Sequence, residues 1–252
     1  MATDVHRELH TGLSTASQAR LSFTRKAFQM LPPLESPQIL DVGCGYGDPT
    51  LELARLSDGQ VLGLDVDQSA LAGLSKRAEE EGLAHRIQVV NRSMLDMDFP
   101  HERFDLIWAE GSLHVVGFEK ALWEWRRFLK PRGFLVVHEM AWLRGDPPAA
   151  IRNFWQKVFP GIRTVSEYVE AVPSHGYDLV GHFALPEDFW WREYYAPLQA
   201  RIRELREKYA DDPAAQSALD NEQEGVDLYK KHAKWYGSAY LLMQKVSRRG
   251  DS

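Results

Sequence analysis

The stretch Ile39-Leu40-Asp41-Val42-Gly43-Cys44-Gly45-Tyr46-Gly47 decides the reading of this chain, because an apolar run breaks at once into a loop of alternating glycines. Such a run reads as a strand buried on both faces. The glycines that follow let the backbone turn sharply and approach a ligand closely. A second apolar run, Val61-Leu62-Gly63-Leu64, ends in Asp65, about twenty residues on, the spacing at which adjacent parallel strands jointly hold a nucleoside. These residues predict an adenosine-containing ligand.

The glycine spacing narrows the choice of ligand. A dinucleotide-binding turn reads G-x-G-x-x-G, with the third glycine inside the next helix. Here the pattern is G-x-G-x-G, followed at once by Asp48-Pro49, and no P-loop lysine follows. Proline is tolerated in a helix's first turn, so Pro49 is expected to open a helix over Thr50 to Leu56.

The loop resembles motif I of the class I S-adenosylmethionine (SAM) dependent methyltransferases, and the resemblance is close from Gln38 to His138 and looser beyond. It implies an α/β, Rossmann-like fold: a seven-stranded, mostly parallel sheet with an antiparallel last strand, helices on both faces and a helical lid. It also implies SAM as cofactor and S-adenosylhomocysteine as its product. In the family's pattern Asp41, Gly43, Cys44, Gly45 and Gly47 underlie the methionine moiety and ribose. Asp65 accepts from both ribose hydroxyls, with Val66 beside it. An acid usually meets the adenine amine after the third strand, but this chain has Ser93-Met94 there, so Ser93 departs from the pattern. Asp96 is a substitute acceptor nearby.

The fourth strand and its exit, Phe104-Asp105-Leu106-Ile107-Trp108-Ala109-Glu110-Gly111-Ser112-Leu113-His114, resemble motif IV of small-molecule methyltransferases related to the ubiquinone and menaquinone C-methylating enzymes. That resemblance places Glu110 and Ser112 near the sulfonium and the entering acceptor. The motif is not the Asn/Asp-Pro-Pro-Tyr/Trp type that grips a base amine in DNA. His114 is the candidate general base, since an imidazole titrates near neutrality; its alternative is local packing at the start of the next helix. Glu110 is a second catalytic candidate, and Glu139 a candidate for orienting substrate. His138, inside an apolar strand, is expected as a core histidine with its hydrogen bonds satisfied. Cys44 is expected to pack rather than react, because no His or Lys adjoins it in sequence.

Strands and helices alternate from Gln38 onward, the signature of a parallel sheet flanked by helices. Further strands are expected at Gln60–Leu64, Ile87–Asn91, Phe104–Ala109, Phe134–His138, Tyr177–Ala184 and Gly237–Val246. Lys130-Pro131-Arg132-Gly133 reads as a helix-to-strand boundary. The whole chain, 1–252, reads as one methyltransferase domain: an N-terminal helical cap over 1–36, a SAM-binding core over 37–140, and C-terminal strands over 141–252 with a helical lid insertion at about 186–235. In that lid Trp190, Trp191, Tyr194 and Tyr195, together with Trp142 before it, are candidate substrate contacts, because adjacent aromatics on a helix cannot all face one core. Arg20 and Arg25 in the cap are expected at the surface, with an approach to the methionine carboxylate as the alternative.

Composition sets the outer bounds. Of 252 residues 44% are hydrophobic and 26% charged, which is enough apolar material for a large core. A net charge of −6 argues against nucleic acid as partner. The single cysteine excludes an intramolecular disulfide and a cysteine-built zinc site, and no metal is expected. Without an apolar leader or a membrane-spanning run, the expectation is a cytoplasmic protein. The reading is therefore a SAM-dependent methyltransferase moving a methyl group to N, O or C of a small-molecule acceptor. Its rivals are a NAD-dependent oxidoreductase, against which the missing third glycine and missing Tyr-x-x-x-Lys count, and a SAM-binding partner protein without turnover.

Overall fold

In the computed structural model, residues 5–6, 8–9 and 15–247 are described. Seven strands form one sheet: β1 (Gln38–Val42), β2 (Gln60–Asp65), β3 (Ile87–Asn91), β4 (Phe104–Glu110), β5 (Leu129–Trp142), β6 (Tyr177–Ala184) and β7 (Tyr236–Lys245). Their spatial order is β3-β2-β1-β4-β5-β7-β6. The first five run parallel, and β7 inserts between β5 and β6, antiparallel to both. The order reverses between β1 and β4, and it is outside the carboxyl ends of strands at such a switch point that open α/β sheets bind ligands.

Both faces are covered, which is why the central strands read as unbroken apolar runs. Helix α1 (Thr15–Gln29), α2 (Asp48–Leu56) and α3 (Gln68–Glu80) lie on one face, over a core holding Ile39, Val61, Trp108, Val136 and Tyr240. Helix α4 (Phe118–Trp125) and α6 (Val165–Ala171) cover the other, over Leu40, Ile107, Leu135, Val137 and Leu241. Alternate residues of one strand therefore feed opposite cores. Between them in sequence, α5 (Ala149–Val158) packs Ile151 and Trp155 with Trp142 and Tyr236. The lid is α7 (Ala196–Lys208) and α8 (Pro213–His232), entered through a π-helical turn at Trp191–Tyr195.

Local signals set most boundaries. Pro49 sits in the first turn of α2, and Asp67 caps α3 by accepting from the Ser69 and Ala70 amides. Thr164 and Glu167 form a reciprocal capping box at α6. One expectation needs correcting. Lys130-Pro131-Arg132-Gly133 does not separate a helix from a strand: β5 already pairs at Leu129, opposite Phe104, and resumes at Phe134, opposite Leu106. The tetrapeptide is a bulge within the strand, and Arg132 takes the left-handed conformation (φ 60°). The far end of β5 also runs past the expected His138 to Trp142, because β7 pairs with it there. Of the expected helical cap over 1–36, residues 1–4, 7 and 10–14 lie outside the described residues, and helix α1 covers Thr15–Gln29.

Candidate functional site

The glycine loop leaves the end of β1, and the acidic and hydroxyl side chains around it are hydrogen-bonded within the chain. Asp41 is buried and accepts from the Thr50 hydroxyl at 2.6 Å, which ties the strand to the start of α2. Burial, opposed by that hydrogen bond and reinforced by Glu110 and Asp65, raises its carboxyl to about 7. Asp41 thus holds the loop from behind. Asp65, at the end of β2, accepts from the Gly45 amide at 2.8 Å through one oxygen and from the Asp67 amide at 2.9 Å through the other. Each carboxylate oxygen can accept more than one bond, so both keep capacity for a ligand. Glycine is required at two places. A Cβ on Gly43 would sit 2.5 Å from the Ser112 Cβ, and one on Gly47 would sit 2.2 Å from a Leu74 methyl, with φ positive at both. Burial, then Asp41 and Asp65, push the Cys44 thiol well above its ordinary value, which leaves it a packing group.

Ser112 donates its hydroxyl to the Val42 carbonyl at 2.7 Å and so locks the β4 exit against the β1 exit. Met94 reaches the same corner, its methyl 3.1 Å from where a Gly43 Cβ would stand. Ser93 accepts from the Leu95 amide, and Val66 is exposed beside Asp65.

Past the end of β4 the edge of β5 opens into a cavity of about 300 Å³. It is lined by Arg20, Gly111, His114, His138, Glu139 and Met140, and closed by Trp155, Val158, Phe159 and Trp190. Here polar groups lack partners. Most of the buried side-chain nitrogens and oxygens left unpaired among the described residues gather at this place: Arg20 Nε, both ring nitrogens of His138, Trp155 Nε1 and, beside the cavity, Glu110 Oε2. An unpaired buried donor or acceptor costs about 1–3 kcal/mol, so such a cluster marks a place shaped for something other than stability.

Glu110 is held by its other oxygen, which accepts from Thr24 Oγ1 and Trp108 Nε1, both at 2.8 Å. Arg20, one helical turn before Thr24 on α1, faces Glu110 with Nε 3.6 Å from Oε2. Arg25 pairs with Glu52 at 2.5 Å instead. On the opposite wall the Glu139 carboxylate accepts from the His114 amide at 3.0 Å and from its own neighbour's amide at Met140. The His114 Nδ1 lies 3.6 Å from the same carboxylate, whose acceptor oxygen and negative charge raise the imidazole above its ordinary value.

The structure thus brings His114, Glu139 and Trp190 to one cavity, with Glu110 beside it. It places the other expected substrate contacts elsewhere. Trp142 packs edge-on against Tyr236, Trp191 and Tyr195 stack on Tyr229, and Tyr194 meets Tyr195 within the lid. Ser112 points its hydroxyl into the β1–β4 junction. Two expectations are corrected: Arg20 is at the site rather than at the surface, and His138 is buried without satisfied hydrogen bonds. Thr24 and Phe159 are not singled out by the sequence, whereas Trp155 belongs to the aromatic-rich C-terminal half expected to roof the substrate pocket. The i, i+4 pair Arg20 and Thr24 was the available signal, since it sets two polar residues on one face of a helix that must bury that face.

With this geometry in place, residues 39–133 match a methyltransferase domain family. Over those residues the chain carries a methyltransferase domain, on the fold of the class I SAM-dependent methyltransferases. A sterol 24-C-methyltransferase of Aspergillus fumigatus is 36% identical over 68% of this chain and 48% of its own length. The chain therefore spans about half the length of that relative. Among solved structures, the [4+2]-cyclase SpnF is 26% identical, with a TM-score of 0.73 over 92% of this chain and 83% of its own. A SAM-dependent methyltransferase from Geobacter sulfurreducens, solved with S-adenosylhomocysteine, shares the fold at 20% identity, with a TM-score of 0.74 over 89% of this chain and 90% of its own.

The residues fit this family's cofactor. Arg20 and Glu110 form an ion pair beside the β4 exit with no hydrogen bond at Arg20 Nε or Glu110 Oε2, and a zwitterionic amino-acid head group would supply hydrogen-bond partners to both. Asp65 keeps acceptor capacity for a ribose, and Gly45, with open space where a Cβ would stand, leaves the loop backbone open to close approach. No cluster of three His, Cys, Asp or Glu residues that could hold a metal ion occurs among the described residues. No helix among them is long and apolar enough to cross a membrane.

Proposed function

We propose that this chain moves the methyl group of SAM to nitrogen, oxygen or carbon of a small-molecule acceptor and releases S-adenosylhomocysteine. The observation that carries the reading is the Arg20–Glu110 couple at the exit of the glycine-loop strand pair, where Arg20 Nε and Glu110 Oε2 face one another at 3.6 Å as an ion pair while neither buried atom makes a hydrogen bond. When bound, the cofactor supplies a methyl group already activated on a sulfonium, so the transfer is a direct in-line displacement. The protein's work is then alignment and exclusion of water.

Each element has a part in that work. Arg20 and Glu110 hold the carboxylate and ammonium of the methionine head group, and Asp65 holds the ribose hydroxyls. Ser93 and Met94 meet the adenine. The acceptor enters the cavity beyond Gly111, where Met140, Trp155, Phe159 and Trp190 exclude water. Where the acceptor carries a proton that must leave, His114 takes it, and Glu139 orients the imidazole and stabilises the imidazolium that forms.

Carbon is the favoured acceptor atom. The motif IV resemblance to quinone C-methylating enzymes and the C-methyltransferase relative in Aspergillus support it, while the acceptor itself is not carried over from either. A second reading rests on the likeness to a [4+2]-cyclase: the cavity shapes a substrate for a reaction without methyl transfer. Two measurements separate these readings. SAM and S-adenosylhomocysteine should each raise the melting temperature and NAD should not; stabilisation by NAD alone defeats the proposal. Release of S-adenosylhomocysteine in the presence of a small-molecule cell extract supports transfer, whereas tight binding without release favours the cyclase-like reading.

A further inference from the structure

Glu110, His138 and Tyr240 stand opposite one another on β4, β5 and β7, so their side chains share one face of the sheet. Glu110 is held by Thr24 and Trp108, and the Tyr240 hydroxyl lies 3.4 Å from that of Thr24. His138, between them, is buried on the cavity wall with neither ring nitrogen paired. Folded proteins rarely leave both nitrogens of a buried imidazole empty, and here no described residue fills them.

Three observations restrict what fills them. Burial, then the charge of Arg20, hold the imidazole well below its ordinary value and therefore neutral. A neutral imidazole presents one N–H donor and one bare nitrogen acceptor, the complement of a hydroxyl group, which both donates and accepts. The Trp190 ring lies within 19° of parallel to His138, and its own N–H donates to Ser238 Oγ at 3.0 Å, so Trp190 offers the cavity apolar surface only. The charges around the cavity already oppose one another, Arg20 with Glu110 and His114 with Glu139. A charged acceptor finds no spare counter-charge there.

We propose that His138 sets the acceptor specificity of this site by holding a hydroxyl group of an uncharged, otherwise apolar acceptor small enough for a cavity of about 300 Å³. The inference deepens the methyl-transfer reading and rests on it for the word acceptor, but the pocket chemistry is testable by itself.

The test is calorimetric titration of the full chain, with and without saturating S-adenosylhomocysteine, using four probes of one shape: 2-naphthol, naphthalene, 2-naphthoate and 2-naphthylmethylammonium. The proposal expects 2-naphthol to bind at least tenfold more tightly than each of the other three. His138→Phe should bring 2-naphthol within threefold of naphthalene and leave naphthalene and S-adenosylhomocysteine affinities within twofold of wild type. His138→Asn, which keeps one donor and one acceptor, should retain part of the preference, and it serves if the phenylalanine variant does not fold. Equal binding of naphthol and naphthalene overturns the proposal. So does preference for either charged probe, absence of binding by all four, or a preference that survives His138→Phe. If S-adenosylhomocysteine does not bind but the naphthol preference appears and depends on His138, the methyl-transfer reading fails and the His138 assignment stands.

Discussion

The glycine loop and the cavity lie side by side at the carboxyl edge of the same sheet, yet they are built on opposite principles. In the loop the buried polar side chains are answered within the chain: Thr50 donates to Asp41, the Gly45 and Asp67 amides donate to Asp65, and Ser112 donates to Val42. In the cavity Arg20, Glu110 and His138 keep unanswered atoms although they are buried. The first region is preorganised and rigid, a fixed seat. The second carries unsatisfied groups that a ligand is needed to complete, at a cost to the fold of the kind found at functional sites.

The comparison breaks most visibly at Gly47. Valine there forces a β-branched residue to a positive φ and drives its Cβ into Leu74, which should destabilise the protein by about 3 kcal/mol or more. In a chain of this size that lowers the melting temperature by roughly 6–12 °C, and an unchanged melt would show that the loop is not the rigid region described. Asp65→Ala should act on both regions at once. It frees two loop amides and removes the ribose acceptor, so SAM binding should weaken by about 1.5–3 kcal/mol by calorimetry; an unchanged affinity removes Asp65 from the cofactor site.

The smallest effect concerns pH. The Glu139 carboxylate, 3.6 Å from the His114 ring, raises His114 above its ordinary value, and a base works only when deprotonated. A base-dependent rate should therefore rise with pH through a midpoint above the usual histidine range, about 6.5. In Glu139→Gln that midpoint should move to lower pH. The same sign holds for stability. The pair stabilises the fold fully below the unfolded-state value and loses that contribution as pH rises through the raised folded-state value. A midpoint that stays in place in Glu139→Gln separates Glu139 from His114.

The two regions also differ in how legible they are in sequence. The loop is local: strand, glycines and helix start fall within Ile39 to Thr50, and Asp65 follows one βα unit later, so spacing alone exposes them. The parallel sheet is legible for the same reason, because apolar runs alternate with amphipathic helices. The cavity draws on α1, the ends of β4 and β5, α5 and the start of the lid, and no short-range pattern links Arg20 to His138 or Trp155. Its residues look bland singly: an arginine on a cap helix reads as surface, and a histidine in an apolar strand reads as core. The lid aromatics mislead in the opposite direction, since Trp191, Tyr194 and Tyr195 look like a binding cluster but stack on Tyr229 and one another to hold the lid together. The Lys130–Gly133 bulge was hidden because proline and glycine mark a turn equally well within a strand and between elements.

The account turns on a charged couple that waits for a zwitterion, and one titration series tests it directly. SAM and decarboxylated SAM are titrated by calorimetry into wild type and into Arg20→Met. Wild type should bind SAM roughly tenfold or more tightly than the analogue that lacks the carboxylate, the scale of one charge-assisted contact, and Arg20→Met should bind the two about equally. Equal affinities in wild type, or a preference that persists in Arg20→Met, would contradict the account.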